Sequence, residues 1–455
     1  MLKYAKKLFA KDDTSIFANK NILKNEKAIK LLCFGCDFGN EIFIQTLRDL
    51  EKAIGSSGSG ASSNTVEDLE HALIDSVSEA LQEYNLSRVR VGISGGLDSR
   101  LLYGAIKRLF PEESIYTFTS GQPGHYDYEF INKYKIGGKN HKFVDLRDIV
   151  WDIGNEVAAI KEYGYAETYR PDAAYRKALD NDMSTYFVHG FPGEFLTGYF
   201  DPFYSEGKVC ESWELAVDTF VKKNNFYTLQ EIFDGIDLTK FVPDDPKITI
   251  PGLNMYNQLD FGLRICQRHF TLKMLKKEKC ITPYTNPKWY KALLSVQDIS
   301  KRNELFFRLI GDKFSDVFPE VVEEKITNRI EHNDFRKRLT QEASEALVSA
   351  SCKNKDGSEF KLQVKTKKGT FLPGRQFCEY AQYYNNKSFK DFIDELFSGL
   401  RKRKIFSKGF LLQVFSDFLS GEYDAARKIK GLLHLELNLR AGTIVIPYKK
   451  YFWGS

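Results

Sequence analysis

The sequence predicts an α/β protein with a doubly wound parallel sheet and a mainly helical C-terminal region. Between residues 65 and 150, short β-branched or aromatic runs alternate with amphipathic stretches of helical period, as in strands joined by crossover helices. The first of these strands passes through a glycine turn directly into a helix. Beyond residue 200 the apolar pattern is mostly helical. These three observations define the predicted fold class.

The composition is typical of a soluble globular protein. The chain has 455 residues, enough for two or three domains, with 42% hydrophobic and 28% charged residues. Its net charge of +5 is too small to indicate nucleic acid as a partner. No apolar run is long enough to span a membrane, and the basic N-terminus lacks the apolar segment of a signal peptide. Seven irregularly spaced cysteines suit reduced thiols, so we expect a cytoplasmic protein without a membrane partner.

A linker over residues 55–64 separates a small N-terminal module, residues 1–54, from the rest of the chain. Glycine and serine dominate this stretch, which has the composition of a flexible linker, either a native hinge or a fusion seam. After it we expect an α/β domain over residues 65–330 and a mainly helical extension over residues 331–455.

Local patterns predict the individual elements. Thr65 and Asp68 have the spacing of a capping box, with Asp68 in place of the usual glutamate, and a helix follows. The other predicted helices cover residues 41–54, 97–109, 127–134 and 254–276, and one opens at Lys301. The predicted strands cover residues 30–35, 114–119, 142–146 and 443–448, with one more starting at Val89 and one before Gly190.

The turn after the Val89 strand is the strongest functional signal. It reads Ser94-Gly95-Gly96-Leu97-Asp98-Ser99. The first turn of a helix offers free N–H groups and partial positive charge, and glycines let an anion approach the backbone. The hydroxyl groups of Ser94 and Ser99 add hydrogen-bond donors. The turn therefore predicts a phosphate site beyond the carboxyl end of a strand, where doubly wound sheets bind ligands. The alternative is a glycine turn that binds nothing.

Asp98 indicates that a divalent cation accompanies the phosphate. A carboxylate in this turn repels a bare phosphate, whereas a cation between the two compensates both charges. A second acid, Glu194, follows a strand and a turn that contains Pro192 and Gly193. We predict that Asp98 and Glu194 hold Mg²⁺ against a triphosphate. The alternative for Glu194 is an ordinary surface glutamate after a turn.

The turn resembles a known phosphate loop. It lacks the Gly-Lys-Ser/Thr ending of a Walker loop and the third glycine of a dinucleotide fingerprint. It is similar to the pyrophosphate loop (PP-loop) of the N-type ATP pyrophosphatases, and its Leu-Asp-Ser-Arg form resembles the synthetase domain of the asparagine synthetase family. Three further segments resemble that family: the strand at 116–119 with the acidic residues 127–129, the loop at 190–198 and the tail at 432–440. The resemblance identifies residues 65–330 as an ATP pyrophosphatase synthetase domain.

This resemblance implies a fold of the adenine-nucleotide α-hydrolase (PP-loop) type and a use of ATP and Mg²⁺. In that family ATP adenylates a carboxylate, an amine attacks the acyl-adenylate, and an amide, AMP and pyrophosphate are formed. The residues that match the family's sites are Ser94, Gly95, Gly96 and Ser99 for pyrophosphate, Asp98 and Glu194 for Mg²⁺, and Ile93 and Phe118 beside adenosine. A lysine neutralises the developing charge in such sites, and position makes Lys301 and Lys325 the catalytic candidates. The alternative for each is a surface lysine.

Two departures from the family shape the expected substrate. Residue 2 is leucine, where the family's glutaminase domain has its cysteine nucleophile, and only about 60 residues precede the synthetase region. We therefore expect no glutaminase and an amine from another source. Phe191 stands where the family often has a second acid, so we expect an acceptor other than free aspartate. The predicted substrate is a small-molecule or peptide carboxylate. A partner protein presents the substrate or supplies ammonia, and residues 1–54 are a candidate presenting module.

Two other functions fit the same loop. The first is a tRNA-modifying ATP pyrophosphatase, for which the basic run at 401–404 argues; a solvated helix face is the alternative explanation of that run. The modest net charge and the lack of zinc-ligand clusters argue against this function. The second is a nucleotide sensor that keeps the loop without the chemistry, for which the single acid in the 190–198 loop argues.

Overall fold

A computed structural model gives the fold of most of the chain. It describes residues 16–35, 39–55, 65–121, 125–163, 186–193, 195–197, 201–203, 208–223, 230–233, 235–277, 280–349, 352–353, 359–360, 382–384, 386–420 and 425–446.

One sheet of five parallel strands forms the centre of the described chain, in the order β3-β2-β1-β4-β5. The strands are β1 (Val89–Gly92), β2 (Ile115–Gly121), β3 (His141–Asp145), β4 (Phe187–Val188) and β5 (Cys280–Ile281). The chain moves outward from β1 to β3 and then crosses to the other side of β1 for β4. The predicted α/β class with a parallel sheet is confirmed. Because the strand order reverses between β1 and β4, the sheet has its switch point there.

Helices dominate the C-terminal region, as the sequence predicted. The α-helices of the described ranges are α1 (Glu26–Phe34), α2 (Asn40–Gly55), α3 (Val66–Gln82), α4 (Leu97–Leu109), α5 (Tyr126–Tyr134), α6 (Ile153–Tyr163), α7 (Trp213–Lys223), α8 (Met255–Lys277), α9 (Pro287–Ser295), α10 (Ile299–Lys313), α11 (Pro319–Glu323), α12 (Arg329–Ser349), α13 (Lys387–Arg403), α14 (Lys408–Leu419) and α15 (Ala425–Ala441). Two further short strands, β6 (Cys352–Lys353) and β7 (Glu359–Phe360), pair with each other as an antiparallel ribbon. Within the ranges that could be searched, no helix has the length and the apolar character that a bilayer crossing requires.

The capping box predicted at the start of α3 is formed in a modified way. The Thr65 hydroxyl oxygen accepts the N–H of Asp68 at 3.1 Å, as a helix cap does. The same hydroxyl group donates to the Asp68 carboxylate at 2.8 Å. The aspartate therefore closes the cap through the threonine side chain, because it is one methylene shorter than the usual glutamate.

Two strand predictions were wrong. The run at 30–35 belongs to α1, which Asn25 caps and Gly35 ends in a left-handed conformation. Every residue from Ala28 to Phe34 is buried, and a continuous apolar run does not distinguish a buried helix from a strand. At the other end, residues 443–446 contain no strand, and 447–448 lie outside the described residues. The N–H groups of Thr443 and Ile444 both donate to Asn438 and complete the end of α15.

The N-terminal segment packs on the rest of the chain. The N–H groups of Ala18 and Asn19 donate to the carbonyl oxygen of Ile405, both at 3.0 Å. The Phe43 ring of α2 lies so close to Gly262 of α8 that a Cβ atom on the glycine would overlap the ring. The described part of residues 1–54 therefore shares the hydrophobic core of the body, while the division of the chain into domains stays a prediction.

Candidate functional site

The predicted phosphate loop lies at the switch point of the sheet, beside the loop that follows β4. A Cβ atom added to Gly190 would lie 3.0 Å from the backbone of Ser99. A Cβ atom added to Gly193 would lie 2.8 Å from Oδ1 of Asp98. A side chain at either position would crowd the neighbouring loop, so the two glycines allow the two loops to approach closely.

Two serines hold the loop in a closed shape. The Oγ atoms of Ser94 and Ser99 lie 2.8 Å apart, within hydrogen-bond distance. The N–H of Ser94 donates to Oγ of Ser99, and the N–H of Gly96 donates to Oγ of Ser94, both at 3.1 Å. The two hydroxyl groups and the glycine backbone are therefore gathered at the start of α4, as the sequence predicted.

The start of α4 has no side-chain cap. Gly96 is the N-cap residue in an extended conformation, and it offers no side-chain acceptor to the first turn. The N–H groups of a first helical turn have no acceptor within the helix, and they carry partial positive charge. This end of α4 therefore has the donors and the polarity that attract an anion.

Carboxylates flank the loop on two sides. Asp98 lies in the first turn of α4. Asp127, in the first turn of α5, accepts the N–H of Gly95 at 2.9 Å. Its other carboxylate oxygen lies 3.9 Å from Nε2 of the buried His125. A phosphate here would meet negative charge, so the loop suits a phosphate that arrives with a cation.

The donor set fits Mg²⁺ held mainly by phosphate oxygens. The described residues contain no cluster of three or more histidine, cysteine, aspartate or glutamate side chains that could hold a metal ion by themselves. Magnesium is usually bound by one or two protein carboxylates together with substrate phosphates and water. Asp98 would supply one carboxylate. The second predicted ligand, Glu194, lies outside the described residues.

Ile93, just beyond the carboxyl end of β1, lies beside Phe118 in the middle of β2. The N–H of Ile93 donates to the carbonyl oxygen of Phe118 at 2.9 Å. The Phe118 ring packs against Phe187 of β4, with 5.5 Å between the ring centroids. Both residues are buried next to the loop; their contact with adenosine stays a prediction.

Two tyrosines that the sequence analysis missed close the loop from either side. Gly95 is so near the Tyr126 ring that a Cβ atom would overlap it, and the Tyr126 hydroxyl donates to the Gly95 carbonyl oxygen at 3.2 Å. Burial raises the pKa of Tyr126, so its hydroxyl remains a donor at neutral pH. On the other side, the Tyr284 hydroxyl donates to the carbonyl oxygen of Asp98 at 2.9 Å. Neither tyrosine belongs to a motif that would have identified it.

Arg100 is the other residue whose role the sequence analysis missed. It is fully buried and forms an ion pair with Glu320, which is also fully buried. Its guanidinium group also donates to the carbonyl oxygens of Gly95 and Gly96, both at 3.2 Å. The available signal was its place on α4, where a charged residue lies beside the apolar positions Leu97 and Leu101.

The two candidate lysines are exposed. Lys301 lies in the first turn of α10, where its N–H donates to Asp298. Lys325 follows α11 in a left-handed conformation with φ of 52°. In the described part of the chain, neither side chain makes a hydrogen bond or an ion pair. Their catalytic role therefore stays a prediction.

Each lysine nevertheless lies within five residues of a residue that is anchored at the site. Next to Lys301, Arg302 is fully buried and donates to the carbonyl oxygen of Leu196, in the loop after β4, at 2.9 Å. Burial lowers the pKa of Arg302 to about 10, so it stays charged at neutral pH. Lys325 follows Glu320, the partner of Arg100, by five residues.

Comparisons with known proteins give no assignment for this site. The chain matches no protein-family model. A search of curated proteins finds none with significant similarity to it.

Proposed function

We propose that this protein is an ATP-dependent, AMP-forming carbon–nitrogen ligase that adenylates a carboxylate substrate and forms an amide. The single observation that carries the proposal is the meeting of the Ser94–Ser99 loop with Gly190 and Gly193 at the sheet's switch point. Ligands of open parallel sheets bind in this crevice. In the proposed sheet of the adenine-nucleotide α-hydrolase type, the loop would bind the two terminal phosphates of ATP.

The proposed reaction has two steps. A carboxylate oxygen of the substrate attacks the α-phosphorus, and the bond to the β-phosphate oxygen breaks to release pyrophosphate. An amine then attacks the acyl carbon, loses a proton and displaces AMP, which leaves an amide. The N–H groups at the start of α4, with the hydroxyl groups of Ser94 and Ser99, would hold the pyrophosphate as its charge develops.

Mg²⁺, when bound, would neutralise phosphate charge and make pyrophosphate a better leaving group. Asp98 would hold it, together with Glu194 from the neighbouring loop. The Asp98 carboxylate lies within 3 Å of the Cβ position of Gly193, which precedes Glu194 in the chain. This proximity supports a shared role of the two acids.

We assign the catalytic role to Lys325, which follows α11 in a left-handed conformation. A left-handed conformation is costly for a residue with a side chain, and at this place after a helix glycine is the usual residue. The N–H groups of Lys325 and Ile326 donate to Val322 and Val321, the pattern that closes a helix end of this kind. Lys135, Lys247 and Lys404 adopt the same conformation, so the assignment of Lys325 depends on its place just after α11, the helix that carries Glu320.

A nucleotide sensor is the second candidate function, and one contact favours it. The Asp127 carboxylate accepts the N–H of Gly95, which a phosphate oxygen would otherwise use. A protein that binds the nucleotide and performs no chemistry would tolerate this arrangement. Release of pyrophosphate from ATP distinguishes the ligase from the sensor.

The proposal includes a cytoplasmic location and a partner protein. Cys33, Cys210, Cys266 and Cys280 are free thiols in the described chain, as expected in a reducing compartment. The substrate would be a small molecule or a peptide with a free carboxylate. The partner would present that substrate or supply ammonia, or residues 1–54 would do the presenting.

An ATP–pyrophosphate exchange assay over a panel of amino acids, sugar acids and peptides tests the proposal. We expect exchange with one class of carboxylate, and a loss of at least about 100-fold in Asp98→Asn, the range of a lost electrostatic contact in a transition state. Asp68→Asn is a matched control, because Asp68 also lies in the first turn of a helix. If the protein binds the nucleotide but shows neither exchange nor pyrophosphate release with any carboxylate tested, the sensor is favoured. Full activity of Asp98→Asn would refute the proposed metal role.

A further inference from the structure

We propose that the buried Arg100–Glu320 ion pair is a positioning element that orients the peptide groups of the phosphate loop and ties the Lys325 turn to the loop. This inference rests on the proposed function. Both side chains are fully excluded from solvent, and the guanidinium group contacts both carboxylate oxygens, at 2.7 and 2.9 Å. Arg100 also lies between two aromatic rings, 4.3 Å from the centroid of Phe130 and 4.4 Å from that of Phe318.

The pair is better explained by positioning than by stability. A buried ion pair loses its hydration, and apolar residues of similar volume often stabilise a fold as well or better. Arg100 directs most of its remaining donors to backbone oxygens: those of Gly95 and Gly96 in the loop, and that of Val317 just before α11 at 3.0 Å. One side chain therefore connects the loop with the segment that leads into α11.

The bonds to the loop fix the orientation of two peptide groups. In a trans peptide, the C=O of one residue and the N–H of the next point in opposite directions. The C=O of Gly95 points to Arg100 and Tyr126, so the N–H of Gly96 points away from them. The C=O of Gly96 also points to Arg100, so the N–H of Leu97 points the other way. Arg100 thereby turns the carbonyl oxygens of Gly95 and Gly96 inward, which leaves the N–H of Leu97 directed outward and that of Gly96 on the Ser94 hydroxyl group.

The bonds to Glu320 reach the turn that carries Lys325. Glu320 lies in α11, and the N–H of Glu324 donates to its carbonyl oxygen at 2.9 Å. The next two N–H groups, of Lys325 and Ile326, bond back to α11 in the same way. Lys325, whose ammonium group is proposed to act at the leaving phosphate, therefore lies in the turn after a short helix that Glu320 anchors to Arg100.

The test measures binding and turnover in three variants of the full-length protein. Glu320→Gln removes the negative charge, and Arg100→Lys keeps the positive charge but loses the planar set of donors. Glu436→Gln is the matched control, because Glu436 is a buried acid paired with Arg403 and Arg440 between α13 and α15. Titration with MgATP gives the Kd, urea unfolding gives the stability, and pyrophosphate exchange gives kcat and the KM for MgATP.

We expect Glu320→Gln to raise the Kd for MgATP at least tenfold and to lower kcat. We expect Arg100→Lys to have Kd and kcat values between those of Glu320→Gln and the wild type. We expect Glu436→Gln to lose comparable stability and to change the Kd less than twofold. If Glu320→Gln does not fold, Glu320→Asp and Arg100→Lys provide the same comparison with the charges retained. A folded variant of the pair with wild-type Kd and kcat would overturn the positioning role alone. A wild type that does not bind MgATP would overturn the proposed function and this inference with it.

Discussion

The Tyr284 hydroxyl donates to the carbonyl oxygen of Asp98 at 2.9 Å, across 186 residues of sequence. The bond joins the chain just after β5 to the first turn of α4. Because Tyr284 also lies against Gly193, one ring contacts both loops of the site. The relative position of the two loops therefore depends on a residue that belongs to neither.

Tyr284→Phe is expected to weaken this connection and leave the fold intact. The change removes one buried hydrogen bond, which contributes about 1 kcal/mol to the free energy of unfolding. We expect the KM for MgATP in the exchange assay to rise several-fold as Asp98 loses its fixed position. Tyr383→Phe, which removes a 2.8 Å bond to Asp394 in the C-terminal region, is the control and should change stability only. Equal KM values for the two variants would contradict the role given to Tyr284.

Lys325→Gly should separate stability from activity. Glycine relieves a left-handed conformation that costs a lysine about 1 kcal/mol, so urea unfolding should give equal or higher stability. Loss of the ammonium group should abolish pyrophosphate exchange. Lys404, at the end of α13 with φ of 53°, is the matched control. We expect Lys404→Gly to be stabilised similarly and to remain active; an active Lys325→Gly variant would remove Lys325 from the catalytic site.

Gly193→Ala should damage the site without a change in charge. The new methyl group would lie 2.8 Å from Oδ1 of Asp98 and 2.7 Å from the Tyr284 ring, so the two loops must separate. Overpacking of this kind costs about 1–3 kcal/mol, and exchange activity should fall with it. Gly409→Ala is the control, because no atom lies within 4 Å of the added Cβ atom. A fully active Gly193→Ala enzyme would show that the contact between the loops is unimportant.

His434 should make the protein less stable in mild acid. Burial lowers the pKa of His434 to about 3, whereas an unfolded histidine has a pKa of about 6.5. Between these values the unfolded chain takes up a proton that the folded protein does not. The free energy of unfolding should therefore fall by about 1.4 kcal/mol for each pH unit below 6.5. His141, whose pKa burial lowers to about 4, should act in the same direction.

Urea unfolding at pH 7 and pH 5 tests this effect. In His434→Leu, the loss of stability between the two pH values should be smaller than in the wild type by about 2 kcal/mol. The comparison between pH values cancels any packing change that the substitution introduces equally at both. The same loss in both proteins would mean that His434 is not the group responsible.

Local sequence was enough for the elements that carry the loop. The helix predicted over 97–109 has those bounds in the structure, because its apolar residues recur at helical spacing and a glycine precedes it. The strands predicted over 114–119 and 142–146 are present with ends shifted by one or two residues. The run at 30–35 was misassigned, because its apolar residues are buried on all sides and show no alternation.

The connections within the site could not be predicted in this way. Arg100 and Glu320 are 220 residues apart, and Gly95 and Asp127 are 32 apart. No local pattern links such residues, because their contact depends on how the strands and helices pack. The sequence located the loop and its donors, but not the side chains that hold the loop in shape.

The α/β class, the parallel sheet and the glycine loop at the end of its first strand follow from local sequence, because they depend on spacing within a few residues. Which chain segments meet that loop is a matter of packing. The strand order brought Gly190 and Gly193 against Asp98 and Ser99, and helix packing buried Arg100 against Glu320. Such contacts cannot be read locally, because burial and hydrogen bonding between distant segments are properties of the packed chain as a whole.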